Sequence, residues 1–108
     1  MYTVDIHNNK ENTKDAIKEL EVAISFGKKD RDKILCVIVG YGSKSGHSRI
    51  KQAVIEYLDT KLGKGVKDYL IGNEVDIFNL KYQKCKFGSK LPKEAFIAKN
   101  SGCIYIFL

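Results

Sequence analysis

From Ile34 to Val39 the chain is apolar at every position and rich in β-branched side chains, a pattern that predicts a strand buried on both faces. Downstream, Ile50, Ala53, Val54, Tyr57, Leu58 and Leu62 recur at helical spacing, and Gly63 closes that helix. Upstream, Tyr2-Thr-Val-Asp-Ile-His7 alternates apolar and polar residues and reads as a short strand. Asn8-Asn9 marks a turn. Asn12 or Thr13 then caps a helix carrying Ala16, Ile17, Leu20, Ala23 and Ile24, with Gly27 as its stop. Lys28 to Lys33 is a charged connector, and Val66 to Ile71 predicts a third strand.

Residues 72–99 lack a clear period: Val75, Ile77, Phe78, Leu80 and Tyr82 fit a strand or a short helix equally well. Lys81, Lys84, Lys86, Lys90 and Lys93 gather around Gly88 and Pro92, which predicts an exposed basic loop. Asn100-Ser-Gly102 turns into a last strand, Cys103 to Leu108. These elements predict a two-layer α/β sandwich in βαβαββ order. Its mixed four-stranded sheet has parallel strands first, joined by right-handed crossovers, and a strand pair at the end.

Composition sets limits on this picture. At 108 residues and 44% hydrophobic content, the chain is expected to form one domain over residues 1–108. No secretory leader or bilayer-length apolar run is evident, so no membrane partner and a cytoplasmic setting are expected. Cys36, Cys85 and Cys103 are odd in number and widely spaced, which fits neither a zinc site nor a disulfide framework. Cys36 and Cys103 read as small buried hydrophobes.

A net charge of +6 and a pI near 9.2 favour acidic partners, nucleic acid above all. Of nineteen basic residues only Arg31 and Arg49 are arginine. Lysine is a point charge suited to backbone attraction rather than base reading, so weak sequence specificity is expected. The aromatic residues Phe26, Tyr57, Tyr69, Tyr105 and Phe107 are embedded in apolar patterns, and no base-stacking platform stands out.

Candidate chemistry centres on Gly40-Tyr-Gly-Ser-Lys-Ser-Gly-His47, between the central strand and the second helix. Such a loop can turn backbone N–H groups and the positive end of a helix dipole toward a phosphate. Gly40, Gly42 and Gly46 permit tight turning, and Ser43, Lys44, Ser45, Ser48 and Arg49 add hydroxyls and charge. The loop is neither a P-loop, since His47 follows Gly46, nor a dinucleotide fingerprint, since Ser45 stands where glycine is required.

Three segments together resemble the small MutS-related (Smr) domain family, especially its stand-alone bacterial members. They are Asp5-Ile-His7, then Gly40-Tyr-Gly-Ser with Arg49-Ile-Lys-Gln-Ala-Val54, and Asn100-Ser-Gly-Cys-Ile-Tyr-Ile-Phe-Leu108. The resemblance spans almost the whole chain in the right order. It implies a fold similar to the C-terminal domain of a translation initiation factor, and binding or cleavage of DNA or RNA. Asp5 and His7 match family positions implicated in cleavage, and Gly40 and Gly42 match its loop glycines. Two positions depart from the pattern: Val39 replaces a histidine and Asn8 a glycine.

Phosphodiester hydrolysis needs a proton carrier or metal-bound water, and charge to stabilise the phosphate. Asp5 can orient a water or hold Mg²⁺ or Mn²⁺, His7 can move protons near neutral pH, and His47 is a candidate replacement for the histidine lost at Val39. Three classes of function follow: a nicking endonuclease, a nucleic-acid-binding module without cleavage, and a domain binding another small anion or a protein through the glycine loop.

Overall fold

A computed structural model describes residues 1–7, 12–40 and 49–108. Its strands are β1 (Tyr2–Asp5), β2 (Ile34–Ile38), β3 (Asp68–Ile71) and β4 (Cys103–Phe107), and its helices are α1 (Thr13–Lys28), α2 (Arg49–Lys61), α3 (Leu80–Lys84) and α4 (Lys93–Ala98). The sheet order is β1-β2-β4-β3. β1 runs parallel to β2, while β4 lies antiparallel to both β2 and β3. The expected mixed four-stranded sheet and α/β sandwich are therefore present. The last strand is inserted between β2 and β3, and does not sit at the rim.

Alternation along the strands divides the core in two. Leu35, Val37 and Val39 on β2 and its continuation, with Ile104 and Ile106 on β4, face α1 and α2, and meet Ala16, Leu20, Ala23, Ile50, Val54 and Leu58. Ile34, Cys36, Cys103, Tyr105 and Phe107 face the other way, against Leu70, Val75, Leu91 and Ala95. Every residue of β4 is buried, as a central strand covered on both faces requires. Each fully buried Leu, Ile or Val contributes about 1.5–3 kcal/mol relative to exposure.

Local signals explain the element boundaries. The Asn12 side-chain oxygen accepts from the Asp15 N–H at 3.1 Å and caps α1. Gly27, expected to stop that helix, lies inside it. A Cβ there would stand 2.7 Å from Leu108 Cδ1 and 3.3 Å from Leu35 Cβ, so this glycine serves close helix–sheet packing. Past the end of α2, Gly63 takes a positive φ of 78°, as the sequence suggests.

In the 72–99 segment the short-helix alternative holds at α3, while the 81–93 stretch expected as an exposed basic loop keeps its lysines exposed but carries α3, a single-turn 3₁₀ helix at Gly88–Lys90 and the start of α4. Val75, Leu91 and Ala95 of this segment cover the second face of the sheet. An edge-to-face contact between Tyr82 and Phe96, with centroids 5.5 Å apart, joins α3 to α4. Val75 is buried, but Ile77, Phe78 and Leu80 are exposed, which is why their spacing matched neither template. Phe26, expected in the apolar pattern, is half exposed.

Candidate functional site

Parallel strands that are neighbours end on the same side of a sheet, and ligands of open α/β sheets commonly bind there. β1 and β2 obey this rule. The Ile6 N–H donates to the Ile38 carbonyl at 3.0 Å, extending their pairing, and the chain then brings His7 against Gly40. A Cβ built on Gly40 would lie 3.4 Å from the Cβ of His7. Gly40 has a φ of 82°, a conformation that favours glycine. The N–H groups of Val39 and Gly40 both donate to the Gly102 carbonyl, at 2.8 and 3.1 Å, and so tie the end of β2 to the turn that starts β4.

That turn is itself held locally. The Asn100 side-chain oxygen accepts from the Gly102 N–H at 2.7 Å, the Asn-turn chemistry expected of Asn100-Ser-Gly102. Gly72, just past β3, packs directly on it: a Cβ there would lie 1.8 Å from the Asn100 carbonyl oxygen. The ends of β1, β2 and β3 and the start of β4 thus form one continuous rim, His7–Gly40–Gly102–Asn100–Gly72.

On this rim the His7 Nδ1 meets the Asp5 Oδ1, and the same oxygen accepts from the His7 backbone N–H at 3.0 Å. Each side chain is about two-fifths exposed, so both reach solvent. The hydrogen bond from the His7 side chain holds the Asp5 carboxyl below its usual value, aided by the backbone N–H and by the positive charge His7 can carry. An ionised carboxylate only accepts, so the Nδ1 carries the hydrogen and Nε2 is left as the open proton-transfer position. A carboxylate so placed fixes the tautomer of the histidine it meets.

Beneath the rim lie Cys36 and Cys103, both buried and both free thiols, as expected of small core residues. They share a hydrogen bond that pushes Cys36 up and draws Cys103 down to about 7, with Tyr105 also donating to the Cys103 sulfur and the Lys51 charge adding to the effect. The Cys103 thiol donates in turn to the Asn100 carbonyl at 3.3 Å.

Of the residues singled out from sequence, Asp5, His7 and Gly40 are brought together. Arg49 is the exposed first residue of α2, the helix that follows the glycine loop in the chain. Gly42, Ser43, Lys44, Ser45, Gly46, His47 and Ser48 lie outside the described residues, as does Asn8. Val39 is buried in the core.

For Mg²⁺ or Mn²⁺ the described donors fall short. One Asp5 oxygen is engaged by His7, and no group of three or more His, Cys, Asp or Glu side chains forms among the described residues. Nor is any described helix long and apolar enough to cross a membrane.

Charge is divided unevenly along the chain. Residues 1–32 hold six basic and seven acidic side chains, whereas residues 33–108 hold thirteen basic and six acidic. In the 81–93 stretch, Lys81 sits 4.3 Å over the Tyr69 ring and 3.7 Å from Glu74, while Lys84, Lys86 and Lys93 are exposed and make no ion pair among the described residues. The sequence reading missed Gly72, whose role depends on β4 entering between β2 and β3. Phe78, noted in the sequence only within an ambiguous apolar pattern, is at 82% the most exposed large hydrophobic among the described residues. No protein-family model, curated protein or solved structure matches the chain.

Proposed function

We propose that this protein binds nucleic acid through its lysine-rich surface, with little sequence preference, and that Asp5 and His7 form a proton-transfer pair for phosphodiester cleavage. The observation that carries the reading is the solvent-facing Asp5–His7 pair set against Gly40 at the carboxyl rim of β1 and β2. The excess of seven positive charges in residues 33–108 supplies the attraction for phosphate. The resemblance of Asp5-Ile-His7, Gly40-Tyr-Gly-Ser and the Asn100–Leu108 strand to the small MutS-related family supports the same reading.

In this scheme the His7 Nε2 takes a proton from the attacking water or hydroxyl as its oxygen bonds to phosphorus, the P–O bond to the leaving oxygen breaks, and the imidazolium returns the proton to that oxygen, while Asp5 orients the ring and stabilises the imidazolium. Lys44 and Arg49 supply positive charge for the phosphate oxygens. Binding without cleavage is the second reading, favoured by the burial of Val39 where the family carries a histidine.

Labelled single-stranded and duplex DNA and RNA, titrated over a range of salt, test both parts. Affinity should fall as salt rises, and the combined Lys84→Ala, Lys86→Ala and Lys93→Ala variant should flatten the salt slope by about one unit for each contact removed. Asp5→Asn and His7→Ala should each lower cleavage about a hundredfold or more while leaving binding in place. Salt-independent binding, or none, overturns the nucleic-acid reading. Cleavage that survives both changes overturns the site, and binding with no cleavage by the wild type selects the second reading.

A further inference from the structure

The outer edge of β1 is open among the described residues. Ile6 donates to Ile38 across the β1–β2 pair, so by alternation Tyr2 and Val4 also bond toward β2. The N–H and C=O groups of Thr3 and Asp5 therefore point away from the sheet. Edge strands are commonly blunted by lysine, proline or a bulge; the four-residue β1 has none of these, and its one charged side chain, Asp5, lies at its end and is held by His7.

Beside this edge runs an apolar groove of about 360 Å³, lined by Tyr2, Val4, Val22 and Phe26 with Lys18 and Glu19 at its margin. Val22 is 56% and Phe26 50% exposed, and the Tyr2 and Phe26 rings stack at 5.8 Å. A free strand edge flanked by a clustered apolar surface is suited to strand addition.

Charge decides the occupant. The protein carries +6 overall, yet residues 1–32, which build β1 and α1, sum to −1. The Met1 ammonium is neutralised within this region by Asp30 and Asp32, each at 3.2 Å. The groove's own lining carries one cation, Lys18, and one anion, Glu19, so this face has no excess positive charge to attract nucleic acid, and two copies of a basic protein can meet here without net repulsion at the contact.

We propose that β1 pairs antiparallel with β1 of a second copy about a dyad at Val4, joining two four-stranded sheets into one. In that register Thr3 of each chain exchanges both backbone bonds with Asp5 of the other, and Tyr2 lies opposite Ile6. Tyr2, Val4, Val22 and Phe26 of the two copies then meet on one face of the joined sheet, and both lysine-rich surfaces stay exposed. This inference does not rest on the nucleic-acid reading.

Sedimentation velocity from micromolar to near-millimolar protein tests it. A monomer–dimer equilibrium is expected, tightening as salt screens the net charge, the reverse of the salt effect expected for nucleic acid. Thr3→Pro removes one outward N–H per chain and none directed at β2, so the fold should persist while dimerisation weakens about thirtyfold. Phe26→Lys and Val22→Lys, at exposed positions, should abolish the dimer and leave the circular dichroism spectrum unchanged. A monomer at every concentration, or a dimer indifferent to all three variants, overturns the proposal.

Discussion

Replacing Gly72 with alanine is the sharpest structural test of how the rim is built. The new Cβ would fall 1.8 Å from the Asn100 carbonyl oxygen, 2.8 Å from its carbon and 2.9 Å from Cys103 Sγ. Ordinary contact between such atoms lies near 3.5 Å, so the turn must move by more than an ångström. The atoms in the way are mainly backbone, which cannot rotate aside as a side chain can. Overpacking of this kind costs about 1–3 kcal/mol. Displacing the turn also strains the two bonds that Val39 and Gly40 make to the Gly102 carbonyl, each worth about 1 kcal/mol.

Opposing this, alanine restricts the unfolded chain and returns about 0.4–1 kcal/mol. The clash dominates, leaving a net loss of about 2–4 kcal/mol. For a chain of this length that corresponds to a fall in Tm of about 10–20 °C. Thermal and urea unfolding followed by circular dichroism measure it directly. A Tm within about 2 °C of the wild type would refute the packing of Gly72 on Asn100.

Two further expectations follow from the same geometry. Gly40→Ala places an L residue at a φ of 82°, which costs about 1–2 kcal/mol, and sets its Cβ in ordinary contact with that of His7; denaturation should show the loss, and the His7 ring resonances should shift. Asp5, Asp30 and Asp76 are all held below the usual carboxylate value, by His7, by the Met1 ammonium, and by the Phe78 N–H with Lys99 respectively. Their contribution is present above pH 4 and lost as pH falls through the lowered values. The Met1 ammonium is held above its usual 8.0 by Asp30 and Asp32, so its contribution is full below pH 8 and fades as pH rises past it. Urea midpoints should therefore form a plateau between these limits, and acetylating the amino terminus should remove the alkaline step.

Much of this architecture is legible in the chain because each readable segment meets one kind of surface. Ile34 to Val39 is apolar throughout because β2 is covered on both faces, and the Ile50–Val54–Leu58 stripe matches a helix lying on the sheet with one side in water. The meeting of His7 and Gly40 follows from the parallel β1–β2 pair alone. What escapes the sequence depends on distant placement. Gly27 is identical in type to a helix-stopping glycine, and only Leu35 and Leu108 show that it serves packing. The 72–99 segment presents Ile77, Phe78 and Leu80 outward, so its hydrophobic pattern does not report its buried face.

The central claim is that phosphate is received at the rim where His7 meets Gly40. A titration of ¹⁵N-labelled protein with a short oligonucleotide, followed by amide shifts at low and high salt, tests it most directly. The account predicts that the largest shifts fall on Asp5, His7, Gly40, Arg49 and Gly102, and that they collapse as salt rises. Shifts confined to Tyr2, Thr3 and α1, with none on His7, Gly40, Arg49 or Gly102, or no shifts at low salt, would contradict it.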